Sequence, residues 1–135
     1  MANGTIAFDT LSTSGQISGT AVSVDTDYLA YGSNKCWGNY NASQALQDSF
    51  NVSSHDDDGG GDGGVNINNN MANNDYAITS ACSDATASDQ ILTLELTQNS
   101  EATTAFDYET NRAGSSVNRT AIDTNRMIAL FGDLA

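Results

Sequence analysis

The sequence predicts an all-β fold: an antiparallel β-sandwich, jelly-roll-like, of about 8–10 short strands. Three observations predict it. Short runs of strand-forming residues are punctuated by Gly, Asn, Asp and Ser from one end to the other. One segment, residues 91–97, alternates Leu92, Leu94 and Leu96 with Thr93, Glu95 and Thr97, the period of a half-buried strand. No stretch carries a convincing amphipathic helix, and a chain rich in Asn, Asp, Ser and Thr holds residues whose side chains compete with helical backbone bonds.

Residues 5–8 form the first predicted strand, followed by 19–24 and 28–31. Residues 35–41 place Cys36, Gly38 and Tyr40 on one face and Trp37 and Asn39 on the other. Residues 45–52 show a weaker alternation, with Leu46, Asp48 and Phe50 on one side. A Gly/Asp-rich tract at 55–64 reads as a solvated loop at a hairpin end, because its glycines admit positive φ and its acids repel one another. Alternation resumes at 65–68, residues 69–74 form another loop, and 76–82 and 105–108 are further strands. The continuous apolar run 127–131 fits a strand buried on both faces, or one with one face in a core and the other in a subunit contact. A helix capped by Asp123 or Thr124 competes there. All of this fits one β-sandwich domain over residues 1–135. Proline is absent, so acids, asparagines or neighbouring subunits must protect the edge strands.

Seventeen acidic residues against four basic ones give a net charge of −13, which repels nucleic-acid phosphate and anionic bilayers. Arg112, Arg119 and Arg126 recur every seventh residue, but the Gly114-Ser115-Ser116 interruption makes a helical stripe a coincidence. No segment has the pattern of a signal peptide or the length of a membrane span, so synthesis in a cytoplasm without membrane insertion is expected. The Asn-x-Ser/Thr triplets at Asn3, Asn41, Asn51 and Asn118 are then by-products of composition. Cys36 and Cys82 read as buried small apolar residues, with a disulfide as the alternative; with His55 they cannot complete a zinc site.

The acids Asp56, Asp57, Asp58 and Asp62 could hold calcium, yet they lack the spacing of known calcium loops, and no metal or cofactor is expected. His55 beside Asp56 has no nucleophile in a recognisable setting, so no catalytic residues are assigned and the chain is expected not to be an enzyme. A glycosidase using two carboxylates is the remote alternative; Glu95, Glu101 and Glu109 are the only glutamates. Trp37, Tyr40 and Phe50 could stack on a sugar. Alternation instead assigns Tyr40 and Phe50 to the core and leaves Trp37 facing away from it. Trp37, Met127, Ala129 and Phe131 are the candidates for a subunit or ligand contact.

The stretch Lys35-Cys36-Trp37-Gly38-Asn39-Tyr40-Asn41, with Ser49-Phe50-Asn51-Val52-Ser53-Ser54 after it, resembles a tail-fibre-like module of small structural proteins in marine and cyanobacterial phages. Phe8-Asp9-Thr10-Leu11 and the closing Phe131-Gly132-Asp133 resemble its flanks. The sequence departs from that pattern at His55, where an apolar residue is usual, and at Gly63, where an aromatic is usual. The resemblance implies a virion structural protein that touches the host surface from a tail fibre or fibre tip. A capsid decoration protein on the shell exterior is the alternative. The partners it implies are the chain itself, as a homotrimer, other virion proteins, and a host glycan or receptor.

Overall fold

The computed structural model describes residues 15–18, 23–83, 91–97, 100–113 and 119–135. The predicted strand at 5–8 and residues 19–22 of the next lie outside them. In chain order the elements are β1 (Gln16–Ser18), β2 (Ser23–Asp25), α1 (Thr26–Gly32), β3 (Asn34–Tyr40), β4 (Leu46–Phe50), β5 (Val52–Gly59) and β6 (Asp62–Ile67). They continue with β7 (Ala77–Ser83), β8 (Ile91–Leu96), β9 (Ala105–Ala113), β10 (Arg119–Ala121) and β11 (Asn125–Phe131).

The fold is all-β, with two antiparallel sheets facing each other. One has the order β4-β3-β11-β7. The other is organised on β9, which pairs with β6, β8 and β10, while β5 pairs with β6 at the edge. Tyr108 and Glu109 pair with both β6 and β8, so those two strands lie on opposite edges of β9. The hairpins β3–β4 and β5–β6 each stay inside one sheet. One core cluster drawn from both sheets makes the pair a β-sandwich. β1 and β2 make a separate ribbon.

Strand alternation explains the core. Cys36 and Tyr40 from β3 and Ile128 and Leu130 from β11 point inward from one sheet, and Val65, Ile67, Phe106 and Tyr108 meet them from the other. Met71 and Tyr76 close one end, where Gly132 packs within reach of both side chains. The burial alternation along β11 answers the choice left open for 127–131: Ile128 and Leu130 are buried, Met127 is exposed, and the segment is a strand. Leu92 and Leu94 are half-buried and Leu96 is exposed, so β8 covers the flank of the core rather than its centre.

Three expectations are corrected. Residues 28–31 belong to a helix, α1, and Tyr28, Leu29 and Tyr31 stand exposed on it; their aromatic and apolar composition imitates a strand. The 55–64 tract is a β-hairpin, with β5 and β6 paired from Val52↔Ile67 to Gly59↔Asp62 and only Gly60 and Gly61 left as the turn. Two of its glycines, Gly61 and Gly63, are required by contact. Gly61 has φ +84° and would drive a Cβ to 2.6 Å from the Thr110 carbonyl, and a Cβ on Gly63 would fall 2.8 Å from the Tyr108 hydroxyl. Phe50, assigned to the core from alternation, is 54% exposed, because its partner across the ladder is the outward Trp37 and paired residues share a face.

The chain crosses from one sheet to the other at Asn51, which has φ +59°. Its side-chain amide donates to the carbonyls of Lys35 (2.9 Å) and Asn69 (3.0 Å), and its Oδ1 accepts from the Asn69 amide. Asn tolerates the left-handed conformation because its short polar side chain can bond locally. Asn51 therefore pins the corner where β3, β4, β5 and the loop after β6 meet.

Candidate functional site

Two places concentrate the chemistry-bearing residues: the outer face of the four-stranded sheet and a polar cluster between the sheets.

Trp37 pairs with Ala129 and Asn39 with Met127 across β3 and β11, and Ala129 and Met127 pair with Thr79 and Ala81 across β11 and β7. These six residues line a shallow groove on the outside of the sandwich. Phe50, opposite Trp37 on β4, extends the apolar strip, and Met127 is as exposed as Phe50. The four contact candidates named from the sequence thus lie on one face by alternation. Phe131 sits at the end of the row, half-buried, where the register with β3 shifts between Leu130 and Phe131.

The opposite face of the molecule is acidic. Asp56↔Gly64↔Asp107 and Asp62↔Glu109↔Glu95 form two rows across the five-stranded sheet. Arg119 bridges Glu95 and Glu109 and so ties up two of the three carboxylates of the second row. Arg112, Arg119 and Arg126 fall on three different strands, and their seven-residue spacing carries no common face. Asp57 turns inward while Asp56 turns outward, and among the described residues no three His, Cys, Asp or Glu side chains converge as metal ligands. Asp56, Asp57, Asp58 and Asp62, weighed above as calcium ligands, do not converge as a cluster of metal ligands.

The inner cluster was missed by sequence reasoning. Arg126 is 1% exposed, and among the described residues no carboxylate pairs with it directly. Its guanidinium lies 5.3 Å from the ring centre of Tyr40 and 4.9 Å from that of Tyr108, a cation enclosed by two aromatic faces. It donates to Gln44 Oε1 at 2.7 Å and to the Thr124 carbonyl at 3.2 Å. Gln44 is buried and held at φ +60°, and its amide nitrogen reaches Asp57 Oδ1 at 2.6 Å and Asp123 Oδ1 at 3.1 Å. The amide thus stands between cation and carboxylates, with each end of its dipole facing the charge it suits.

His55 completes the cluster. Its Nε2 lies 2.6 Å from the Tyr108 hydroxyl and 3.2 Å from Arg126 Nη2, and its ring is 4.6 Å from that of Tyr40. Burial pushes the Tyr108 hydroxyl up to about 12, so it keeps its proton at neutral pH and can donate. The only sequence signal for this cluster was Arg126 standing one residue before an apolar run, a position at which alternation with Met127 points it inward.

Cys36 and Cys82 are both free. Both lie on strands flanking β11, opposite Leu130 and Arg126 respectively, which separates their Cα atoms by about 16 Å, far beyond the reach of a disulfide.

The class defined by these observations is a two-sheet antiparallel β-sandwich with one apolar face, one acidic face and a buried cationic cluster between them. No protein-family model, curated protein or solved structure matches the chain. No helix among the described residues is long and apolar enough to cross a membrane.

Proposed function

We propose that this chain is a non-enzymatic structural protein of a phage virion, displayed as a tail-fibre or fibre-tip module that associates with copies of itself and reaches the host surface. The observation that carries the self-association is the outer face of the four-stranded sheet. Trp37, Phe50, Met127 and Ala129 form an apolar strip there, in a chain of net charge −13 whose other sheet face is acidic. Asp48, opposite Asn39, is the one charged residue among the paired positions of that face. Like-charged copies can approach there with least repulsion, and covering the strip removes apolar surface from water. The residues that resemble the phage module, Lys35 to Ser54, build β3, β4 and the start of β5, so they supply half of the same strip. A homotrimer is the assembly proposed, by analogy with phage fibres. Trp37 is the side chain assigned to contact a neighbouring copy or a host glycan.

Two measurements test this. Light scattering at micromolar concentration is expected to give a homo-oligomer; a monomer overturns the self-association. Immunogold labelling of virions from the phage that encodes the chain is expected to mark the tail. Labelling of the shell reassigns it to capsid decoration, and no labelling of the particle removes the virion assignment.

A further inference from the structure

We infer that His55 is an acid-sensitive latch: its unprotonated Nε2 holds the edge strand β5 against the four-stranded sheet, and protonation of that nitrogen in mild acid loosens β5.

The argument begins with donors and acceptors. A guanidinium has only donors, so the Arg126 Nη2 that faces His55 Nε2 at 3.2 Å requires a lone pair on that nitrogen. The Tyr108 hydroxyl, 2.6 Å from the same atom, also has a proton to give. The Arg126 contact is satisfied only by a neutral imidazole with its proton on Nδ1, and the Tyr108 hydroxyl then donates to the same Nε2 lone pair. A proton on Nε2 would set an N–H against an N–H and a second positive charge beside a cation that is nearly fully buried.

β5 depends on this contact. Among the described residues it is an edge strand paired with β6 alone; Val52 packs on the core at its start, and beyond it His55 and Asp57 are the side chains that reach the opposite sheet and Gln44. The groups facing His55 come from each surrounding element. Arg126 lies on β11, Tyr108 on β9 and Tyr40 on β3; Asp56, Asp57 and Asp58 lie on β5 itself, and Asp123 precedes β11. The β5 acids favour a protonated His55, whereas burial first and the arginine second oppose it. The balance holds the imidazole below its ordinary value. Asp57 is engaged by the Gln44 amide and the Gly59 N–H, and Asp123 by Gln44 and the Gly61 N–H, which limits what either can offer a histidinium.

The direction of the pH effect follows. The unfolded or released strand takes up the proton at the ordinary value of 6.5 and the closed form only at lower pH. The latch is therefore intact above 6.5 and weakens as pH falls from there toward the closed-form value. His55 is the single histidine in the chain, and carboxylates ordinarily titrate lower, near 4, so this window belongs to one side chain.

The test is hydrogen exchange on the full chain at pH 7.5 and 5.5, corrected for intrinsic rates, together with an NMR titration of the His55 imidazole. Protection of the amides in β5 and their β6 partners is expected to fall by about fivefold to tenfold at pH 5.5, one unit below the ordinary imidazole value, while the β3–β11 ladder stays protected. His55→Gln, which keeps an acceptor but cannot titrate in this window, is expected to hold β5 equally at both pH values. Unchanged wild-type protection overturns the latch, as does the same pH dependence in His55→Gln. Should that variant fail to fold, the wild-type titration decides: an imidazole midpoint at or above 6.5 overturns the latch.

Discussion

Gln44 Oε1 accepts a 2.7 Å hydrogen bond from the guanidinium of Arg126, and this amide is the group through which the buried cation is connected to Asp57 and Asp123. The arrangement satisfies a buried charge with a neutral group, which spreads the compensation over two carboxylates. Removing the amide strands both sides of it. Gln44→Ala is expected to destabilise the fold by about 3 kcal/mol, from a lost hydrogen bond to a charged group plus the void left behind. Gln44→Met, which fills the void but cannot accept, should recover only the packing part. Urea denaturation of the three proteins checks this; equal stability of Gln44→Met and wild type would show that Arg126 does not need the acceptor.

The corner at Asn51 combines a left-handed backbone with three side-chain hydrogen bonds, and the two contributions can be separated. Asn51→Gly keeps the conformation and loses the bonds. Asn51→Ala loses both, because a Cβ at positive φ costs about 1–2 kcal/mol. Asn51→Ala is therefore expected to be the less stable of the two by about 1 kcal/mol, read from denaturation midpoints at equal m. The reverse order would mean that the backbone at 51 relaxes when the side chain is cut.

These two residues also mark how much was legible in the sequence. The alternation at 35–41, 91–97 and 105–108 was readable because each strand has one face in or against the core, so periodicity and burial coincide. The 55–64 tract was not, because glycine and aspartate have low strand propensity; its ladder is imposed by β9 and by the close packing of Gly61 and Gly63. Phe50 was misplaced for a different reason. Its face is set by the register with Trp37, and a residue at φ +60° in the preceding turn, Gln44, is part of what sets that register. Trp37, Met127 and Ala129 share the outer face by alternation, which is sufficient to place the side chains of a central strand pair. The Gln44–Arg126–His55 cluster joins residues 71 to 82 positions apart, and no local pattern carries such a pairing.

The thiols give a prediction that separates burial from pairing. Cys36 is fully buried, its Sγ contacts the Asn51 carbonyl, and burial pushes the thiol up to about 11; Cys82 is half-buried and raised for the same reason. The attacking species is the thiolate, so at pH 8 alkylation of the native protein should modify Cys82 first and leave Cys36 intact. In denaturant without reductant both should react, giving two adducts by mass spectrometry. A protein that takes up no label under those conditions would contain the disulfide that the Cα separation forbids.

The proposed assembly makes the sharpest demand on the outer face. Phe50 and Met127 are each 54% exposed, so replacing them disturbs no core contact, and Phe50→Lys with Met127→Lys should shift stability by only about 0.5 kcal/mol per site. The same pair places two cations on the strip where copies are proposed to meet, and a face repeated in each copy brings like charges together. Light scattering is expected to show the oligomer replaced by monomer while the melting temperature of the dissociated chain is unchanged. If the double variant keeps the wild-type mass, the contact lies elsewhere, and the exposed side chains of α1, Tyr28, Leu29 and Tyr31, become the surface to substitute next.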